Sequence, residues 1–307
     1  MFDEKAVAVA KIRAKVLHAA RCWLDQNNYI EVHGPTLIPA VGDWPGYFEV
    51  KYFDKNAYLT QGLEPYSNVF LAGLGRVYTI APTFRAEKLK TPRHLAEFWR
   101  LEVAQQCDFE KIIQVQEELL SHVCCVLLRE AREELKYVGR RETDLVKVRL
   151  PFPKLTYEEA VDKLQNDGLA ISWGQRLDGE AENHLSLRFD RPFFVTEFPI
   201  DSQTLFCKPH PQKSGVTFSV DLFPPEGYGE ISSGAQVISE KKALRELMTE
   251  ENIDVGDQEW QLALMQDCPD SHSAFAIGIE RLIQWICRLK NIREASAFPR
   301  ALNDFYP

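Results

Sequence analysis

The chain has no Cys-x-x-Cys pair, no excess of basic residues, no repeat and no low-complexity tract. It also has no apolar run approaching the ~18 residues of a membrane span. Each lack excludes a class. Seven cysteines without paired spacing, two of them (Cys124 and Cys125) adjacent in a helical pattern, argue against a disulfide framework or a zinc site. They fit free thiols in a reducing compartment, the cytoplasm. A formal net charge of −9 argues against a general nucleic-acid binder, which needs a basic excess to meet phosphates. One basic run, Lys136, Arg140, Arg141, Lys147, Arg149 and Lys154, reads as a solvated loop or as a local anion-facing patch. The opening "MFDEKAVAVAKIRAK" is charged throughout and lacks a signal-peptide core. What is present is a chain of 307 residues, 45% of them hydrophobic, enough for one large core or two smaller ones.

The apolar spacing of Val7, Ala10, Ala14, Leu17, Cys22 and Leu24 predicts an amphipathic helix over 4–28. "YIEVHGPTLIP" reads as a strand broken by Pro35 and Pro39, and "GYFEVKYFDKNAYLT" as two strands about a turn at Asp54–Asn56. "RVYTIAPTFRAE" and "AEFWRLEVAQQC" read as an antiparallel pair. Asp108 is placed to cap a helix running to about Lys136, with Gly139 beyond its end. Thr156 and Glu159 form a capping box for a helix ending at Gly168. "PFFVTEFP", "TLFCKP", "GVTFSVDLF" and "GEISSGAQVI" read as strands, Ser239 as the cap of "EKKALRELMTEEN", and Gly278 as the start of a last helix. Strands joined mostly by turns predict an α+β fold: one antiparallel sheet flanked by helices. No clear linker divides the chain. Residues 1–307 read as a single domain, with 138–192 as an inserted, partly helical segment.

Several residues carry chemistry. Arg85 ends an otherwise apolar strand, where a guanidinium calls for a phosphate or carboxylate partner, or pairs structurally with Glu87 two residues on. Phe98, on the return strand, is placed either to stack on a flat ring or to fill the core. Arg281 lies in the first turn of the last helix, where the helix N-terminus favours anions, unless it simply pairs with Glu280. Asp221, Glu230 and Ser233 supply hard oxygen ligands of the kind magnesium takes beside phosphates, or are merely exposed.

Taken together, these segments resemble the catalytic domain of class II aminoacyl-tRNA synthetases, in particular the aspartyl/asparaginyl group. "WLDQNNYIEVHGPTLIPA" resembles that class's first motif, including Pro35; "PTFRAEKLKTPRHLAEFWRLE" resembles the second motif of asparaginyl enzymes; "GIERLIQWICRLKNIREASAFPR" resembles the third. "LPFPKLTYEEAVDKL" and "FFVTEFP" are also typical of the group. The resemblance implies ATP bent on an antiparallel sheet, an acyl-adenylate product and a homodimer formed through the first motif. It implies Arg85 on the α-phosphate and the reacting carboxylate, Glu87 on the adenine amino group, Phe98 stacked on adenine, Arg281 on the γ-phosphate and His94 near the pyrophosphate. Magnesium would fall to Asp221, Glu230 and Ser233. The amino acid would meet Asp43, Gln61, Glu64, Ser67, Arg100, Glu102, Ser233, Gly234 and Val237, with Glu102 receiving its amino group.

Two departures shape the functional expectation. The family carries an anticodon-binding barrel ahead of the catalytic domain, and this chain begins at the catalytic domain, which predicts that tRNA is not a partner. Truncated relatives of this kind include asparagine synthetases, so the leading expectation is an AMP-forming ligase passing an activated amino acid to ammonia or a small amine. An aminoacyl transferase to tRNA or protein and a non-catalytic regulatory paralogue are the alternatives. Secondly, the family reads "QSPQLYKQ" or "QSGQLY" where this chain has "QGLEPYSN", and "GAQR" or "GSQR" where it has "GAQV". Glu64 thus replaces a glutamine that the resemblance puts near the substrate amino group, Ser67 a lysine that aspartyl enzymes use on the side-chain carboxylate, and Val237 an arginine that contacts the substrate side chain. Both cations expected to hold an aspartate side chain are missing, at about 2–3 kcal/mol each. Arg100, on the face of Phe98, is positioned to compensate; otherwise the pocket takes a less anionic amino acid.

Overall fold

The computed structural model describes residues 3–39, 46–64, 66–89, 91–204, 206–250, 255–265, 269 and 271–305. Helix α1 (Glu4–Gln26) starts at Asp3, whose carboxylate accepts from the Ala6 backbone N–H, and buries Val9, Ile12, Val16 and Leu24. The broken segment after it gives two short strands, β1 (Ile30–Glu31) and β2 (Leu37–Ile38). A hairpin follows, β3 (Glu49–Tyr52) and β4 (Lys55–Leu59), turning at Phe53 and Asp54 with Phe53 in the left-handed region. Helix α2 (Tyr66–Leu74) leads into the long pair β5 (Arg76–Phe84) and β6 (Glu97–Gln105).

Asp108 caps α3 (Phe109–Glu130), and the expected inward residues Ile112, Ile113, Leu119, Leu120, Val123 and Leu127 are all buried. The helix does not run on to Lys136. It breaks at Ala131, buried and with φ at −135°, so that α4 (Arg132–Tyr137) can lay Leu135 into the main core; α5 (Glu142–Leu145) follows. Next come β7 (Lys154–Thr156), α6 (Tyr157–Asn166) with both halves of its capping box formed, α7 (Gly179–Ser186) and β8 (Phe193–Thr196). The described residues of "TLFCKP" form no strand: Cys207 and Pro209 make only isolated bridges, to Val237 and Thr217. The remaining elements are β9 (Ser219–Phe223), β10 (Ser232–Gln236), α8 (Lys241–Glu250), α9 (Val255–Leu264), β11 (Ser273–Gly278) and α10 (Ile279–Ile286). Ser239, expected to cap α8, has its hydroxyl 3.1 Å from Nδ1 of His272 instead.

An eight-stranded sheet runs β1-β5-β6-β11-β10-β9-β8-β7, antiparallel except for the edge pairs β1/β5 and β7/β8; β2, β4 and β3 form a separate small sheet. The period-two pleat sorts the central strands. Leu101 and Val103 of β6 and Phe275 and Ile277 of β11 enter a core shared with α1, α3 and α10, which includes the fully buried Trp285. Phe98, Arg100 and Glu102 alternate with them and face the other way. That second face is left open in the middle of the sheet. At one edge it is covered by α6 and α7, which pack Tyr157, Val161, Leu164 and Leu185 on Phe193 and Val195. Above another part of it, α8 and α9 pack together through Leu244, Met248 and Leu262. No described helix is long and apolar enough to cross a membrane.

Candidate functional site

The open face carries nearly all of the sequence-predicted residues. Cross-strand register sets Glu102 opposite Ala276, Ala276 opposite Ser233 and Ser233 opposite Asp221, so one row of the sheet holds the three polar positions. Two residues along β6, Arg100 lies opposite Gly278, from which α10 launches Arg281. A Cβ at Gly234 would sit 2.7 Å from the Phe275 Cβ and 2.8 Å from the Ala274 carbonyl oxygen, so only glycine lets β10 lie this close to β11.

At one end of the face are the groups expected to meet ATP. The Arg85 guanidinium lies 3.7 Å from Glu87 and 5.8 Å from the centre of the Phe98 ring, a cation–π approach. Its Nε is buried without a hydrogen-bond partner among the described residues. Burial, and then the nearby Arg100 charge, hold the Arg85 pKa below its usual value. His94 accepts from or donates to the Thr91 hydroxyl at 2.5 Å, and burial and Arg281 keep its pKa low. Arg281 donates to a Glu230 carboxylate oxygen at 2.5 Å and to the Glu230 carbonyl at 3.0 Å. The arginine therefore does not pair with Glu280, which instead binds Arg13 and accepts from the Trp99 backbone N–H.

Two residues here escaped the sequence reading. Arg93 donates to Glu182 at 2.5 Å and to the Glu230 carbonyl, and Glu182 also accepts from the Glu230 backbone N–H at 3.2 Å. Arg93 stood inside the second-motif segment, so a signal existed. Glu182 comes from α7, in the inserted segment, where nothing local marks it. Burial works to raise the Glu230 pKa, but Arg281 and Arg93 outweigh it and hold it low. Asp221, buried and facing Glu230, is pushed well up, and Glu182 is raised by burial. Asp221 Oδ1 has no partner. An orphaned carboxylate oxygen beside a second carboxylate fits a divalent cation. Among the described residues no three acidic, histidine or cysteine side chains converge on one point, so the remaining ligands would have to come from phosphates.

The other end of the face opens into a cavity of about 320 Å³. Gln61, Glu64, Ser67, Arg85, Arg100, Glu102, Ser233, Gly234 and Val237 all line it, so the structure brings the predicted amino-acid set together. Asp43 lies outside the described residues. Glu102 accepts from the Leu63 backbone N–H at 2.9 Å and lies 3.9 Å from Arg100 Nε. Arg100 Nη1 donates to the Gln61 carbonyl at 2.5 Å, and Gln61 Nε2 donates to the Gly46 carbonyl. Burial, and then Glu102, push the Glu64 carboxyl up to about 7. Trp260 and Gln261 of α9 and Cys207 also line the cavity; no spacing in the sequence singled them out.

Residues 1–302 match the family model for tRNA synthetases class II (D, K and N). The asparagine–tRNA ligase of Pyrococcus furiosus is 39% identical over 99% of this chain and 70% of its own length, and that of Desulforamulus reducens 37% over 98% and 70%. Among solved structures, asparaginyl-tRNA synthetase of Pyrococcus horikoshii in complex with asparaginyl-adenylate superposes with a TM-score of 0.95 at 38% identity, covering 99% of this chain and 70% of that one. These matches overturn the expectation that tRNA is not a partner. It rested on the anticodon-binding barrel not preceding the catalytic segment in this sequence, and a catalytic face can meet an acceptor whether or not that barrel precedes it. They also favour transfer to tRNA over transfer to ammonia or an amine. Matched by the family model over residues 1–302 and by relatives of 37–39% identity, the chain belongs to the class II tRNA synthetases of the D, K and N group and is an ATP-dependent, amino-acid-activating ligase.

Proposed function

We propose that the protein activates an amino acid as its acyl-adenylate and delivers the acyl group to a tRNA hydroxyl. In the first step the substrate carboxylate attacks the α-phosphorus of ATP, the bond to the pyrophosphate oxygen breaks and pyrophosphate leaves. The nucleophile is already an anion, so no base is needed; charge growing on the phosphoryl oxygens is met by the Arg85 guanidinium, which lines the cavity. Arg281 takes the far phosphates, Phe98 offers a flat ring for adenine, and Glu87 accepts from its amino group. Asp221 and Glu230, with Ser233 beside them, would hold magnesium, which supplies further positive charge against the phosphates. In the second step the tRNA hydroxyl attacks the acyl carbon and AMP leaves.

The observation that carries this reading is the charge layout of the open face: Arg85, Arg93 and Arg281 among the carboxylates Glu87, Glu182, Asp221 and Glu230 at one end, the amino-acid cavity at the other, and Arg85 lining both. The reading treats residues 1–307 as one catalytic unit with 138–192 as an insertion. Free thiols at the six described cysteines support a cytoplasmic setting. Exposed Ile30 and Leu37, with Pro35 between them, support a homodimer formed through this segment. Pyrophosphate exchange across a panel of amino acids, followed by charging of bulk tRNA, tests the proposal. Exchange and acid-labile aminoacyl-tRNA are expected. Exchange with no tRNA product, but an amide formed with ammonium or an amine, refutes the second step.

A further inference from the structure

Glu230 sits just outside the reach of the sheet. Ile231, the next residue, is tied in on both sides: its N–H donates to the Leu222 carbonyl, and its carbonyl accepts from the Gly278 N–H. Glu230 precedes β10, and no backbone group among the described residues pairs with its N–H or its carbonyl. Main-chain polar groups drawn out of water need partners, and here side chains supply them. The N–H donates to Glu182 Oε2 at 3.2 Å; the carbonyl accepts from Arg281 at 3.0 Å and from Arg93 Nη2 at 3.3 Å. The same Glu182 oxygen accepts from Arg93 Nη1 at 2.5 Å, so Glu182 and Arg93 close a ring around the Glu230 backbone. Their side chains are only 16% and 15% exposed, unlike the solvated pairs that contribute little. The chain makes room for the ring with Gly229, at a φ of +70°: a Cβ there would strike the Arg93 guanidinium and stand 2.6 Å from Glu182 Oε2. Arg93 comes from the loop between β5 and β6. Glu182 comes from α7, in the 138–192 segment, where Ala181 and Leu185 pack the helix against Tyr157, Val161 and Leu164 of α6.

We infer that Glu182 is a positioning residue of the nucleotide site. It fixes Arg93 and the Glu230 backbone together, and so holds the Glu230 carboxylate and Arg281 in place for the phosphates. The inserted segment is then a working part of ATP binding, supplying a brace that the sheet itself lacks. Glu182 acts through Arg93 and Glu230 and touches no substrate. The sign of its effect separates this role from a purely electrostatic one. Glu182 is an anion beside a phosphate site, so if its charge alone mattered, removing it would tighten ATP binding. A brace has the opposite sign: removing it loosens ATP binding. Neither Glu182 nor Arg93 lines the amino-acid cavity, so the effect is confined to the nucleotide. This inference rests on the adenylation reading above and adds a residue to its ATP half.

The test combines pyrophosphate exchange, using the amino acid that the parent protein exchanges best, with calorimetric binding of α,β-methylene-ATP in the presence of Mg2+. Glu182→Ala should raise the KM for ATP and the Kd of the analogue by about 10- to 100-fold, the usual weight of a charge-assisted contact, and leave the KM for the amino acid within about threefold. Glu182→Gln keeps an acceptor for the Glu230 N–H and should fall between parent and Glu182→Ala. Leu185→Ala is the control: it loosens the α6–α7 core without removing the brace, so it should lower the melting temperature and leave ATP binding within about threefold. Unchanged or tighter ATP binding in Glu182→Ala overturns the inference. So does a Leu185→Ala that weakens ATP binding as much as Glu182→Ala, since the effect would then belong to the segment's stability. A parent that binds the analogue but exchanges with no amino acid overturns the adenylation reading, and the calorimetric comparison still decides the role of Glu182.

Discussion

Replacing Glu64 by glutamine removes an acid that the fold holds in an unfavourable state while keeping its shape. The carboxyl has an ordinary pKa of 4.5 and one of about 7 in the folded chain, raised first by burial and then by Glu102. A folded pKa above the unfolded one means that the native state binds the proton more tightly. Stability is therefore full below the ordinary pKa, is lost as pH rises through the window from 4.5 to about 7, and is flat above it. At full weight this separation corresponds to about 3.4 kcal/mol. Solvent reaches Glu64 through the cavity, which reduces the cost to about 1–2 kcal/mol at pH 8. At pH 5 the carboxyl is mostly protonated in the native state and the cost falls below about 0.5 kcal/mol. Glu64→Gln should thus melt about 2–4 °C above the parent at pH 8 and nearly with it at pH 5. Thermal unfolding by circular dichroism at the two pH values, at one protein concentration, reads the difference. An equal gain at both, or a loss at pH 8, would refute the assignment of a strained, unpaired carboxylate.

Arg281→Ala should lower kcat for pyrophosphate exchange by about 10²- to 10³-fold, the usual effect of removing one preorganised charge from a phosphoryl-transfer site, with the fold intact by circular dichroism. It strips Glu230 of its partner, so a small loss of stability should accompany it. Gly234→Ala puts a methyl group 2.7 Å from the Phe275 Cβ, and should cost about 1–3 kcal/mol by urea unfolding as β10 is forced away from β11.

Much of the sheet was readable because its code is local. In "AEFWRLEVAQQC" the alternation of Phe98, Arg100 and Glu102 with Leu101 and Val103 states both the strand and which residues take the open face of the sheet. The Asp108 cap and the Thr156–Glu159 box are likewise written within four residues. What was not readable depends on distant packing. Glu182 acquires its meaning only through Arg93, 89 residues away, and Glu230, 48 away. Trp260 lines the cavity only because α9 settles against α8 and α2. The break at Ala131 has no glycine or proline to announce it; the packing of Leu135 decides it. "TLFCKP" has the composition of a strand, but its described residues make only isolated bridges, at Cys207 and Pro209, which leave it beside the cavity and outside the sheet.

Phe98, Arg100 and Glu102 occupy alternate positions on a single strand. Their spacing is then a property of the backbone, about 6.8 Å per step, and the Cα positions of Phe98 and Glu102 are held about 14 Å apart before any ligand arrives. A strand of this kind is a ruler, and rulers tolerate repainting better than recutting. Substitutions along β6 alter one mark at a time. Inserting or deleting a single residue between Phe98 and Glu102 would turn part of the set into the core shared with α1 and α3 and bring Leu101 or Val103 out to face the substrate. Variation in this strand should therefore run through residue identity and leave its length unchanged.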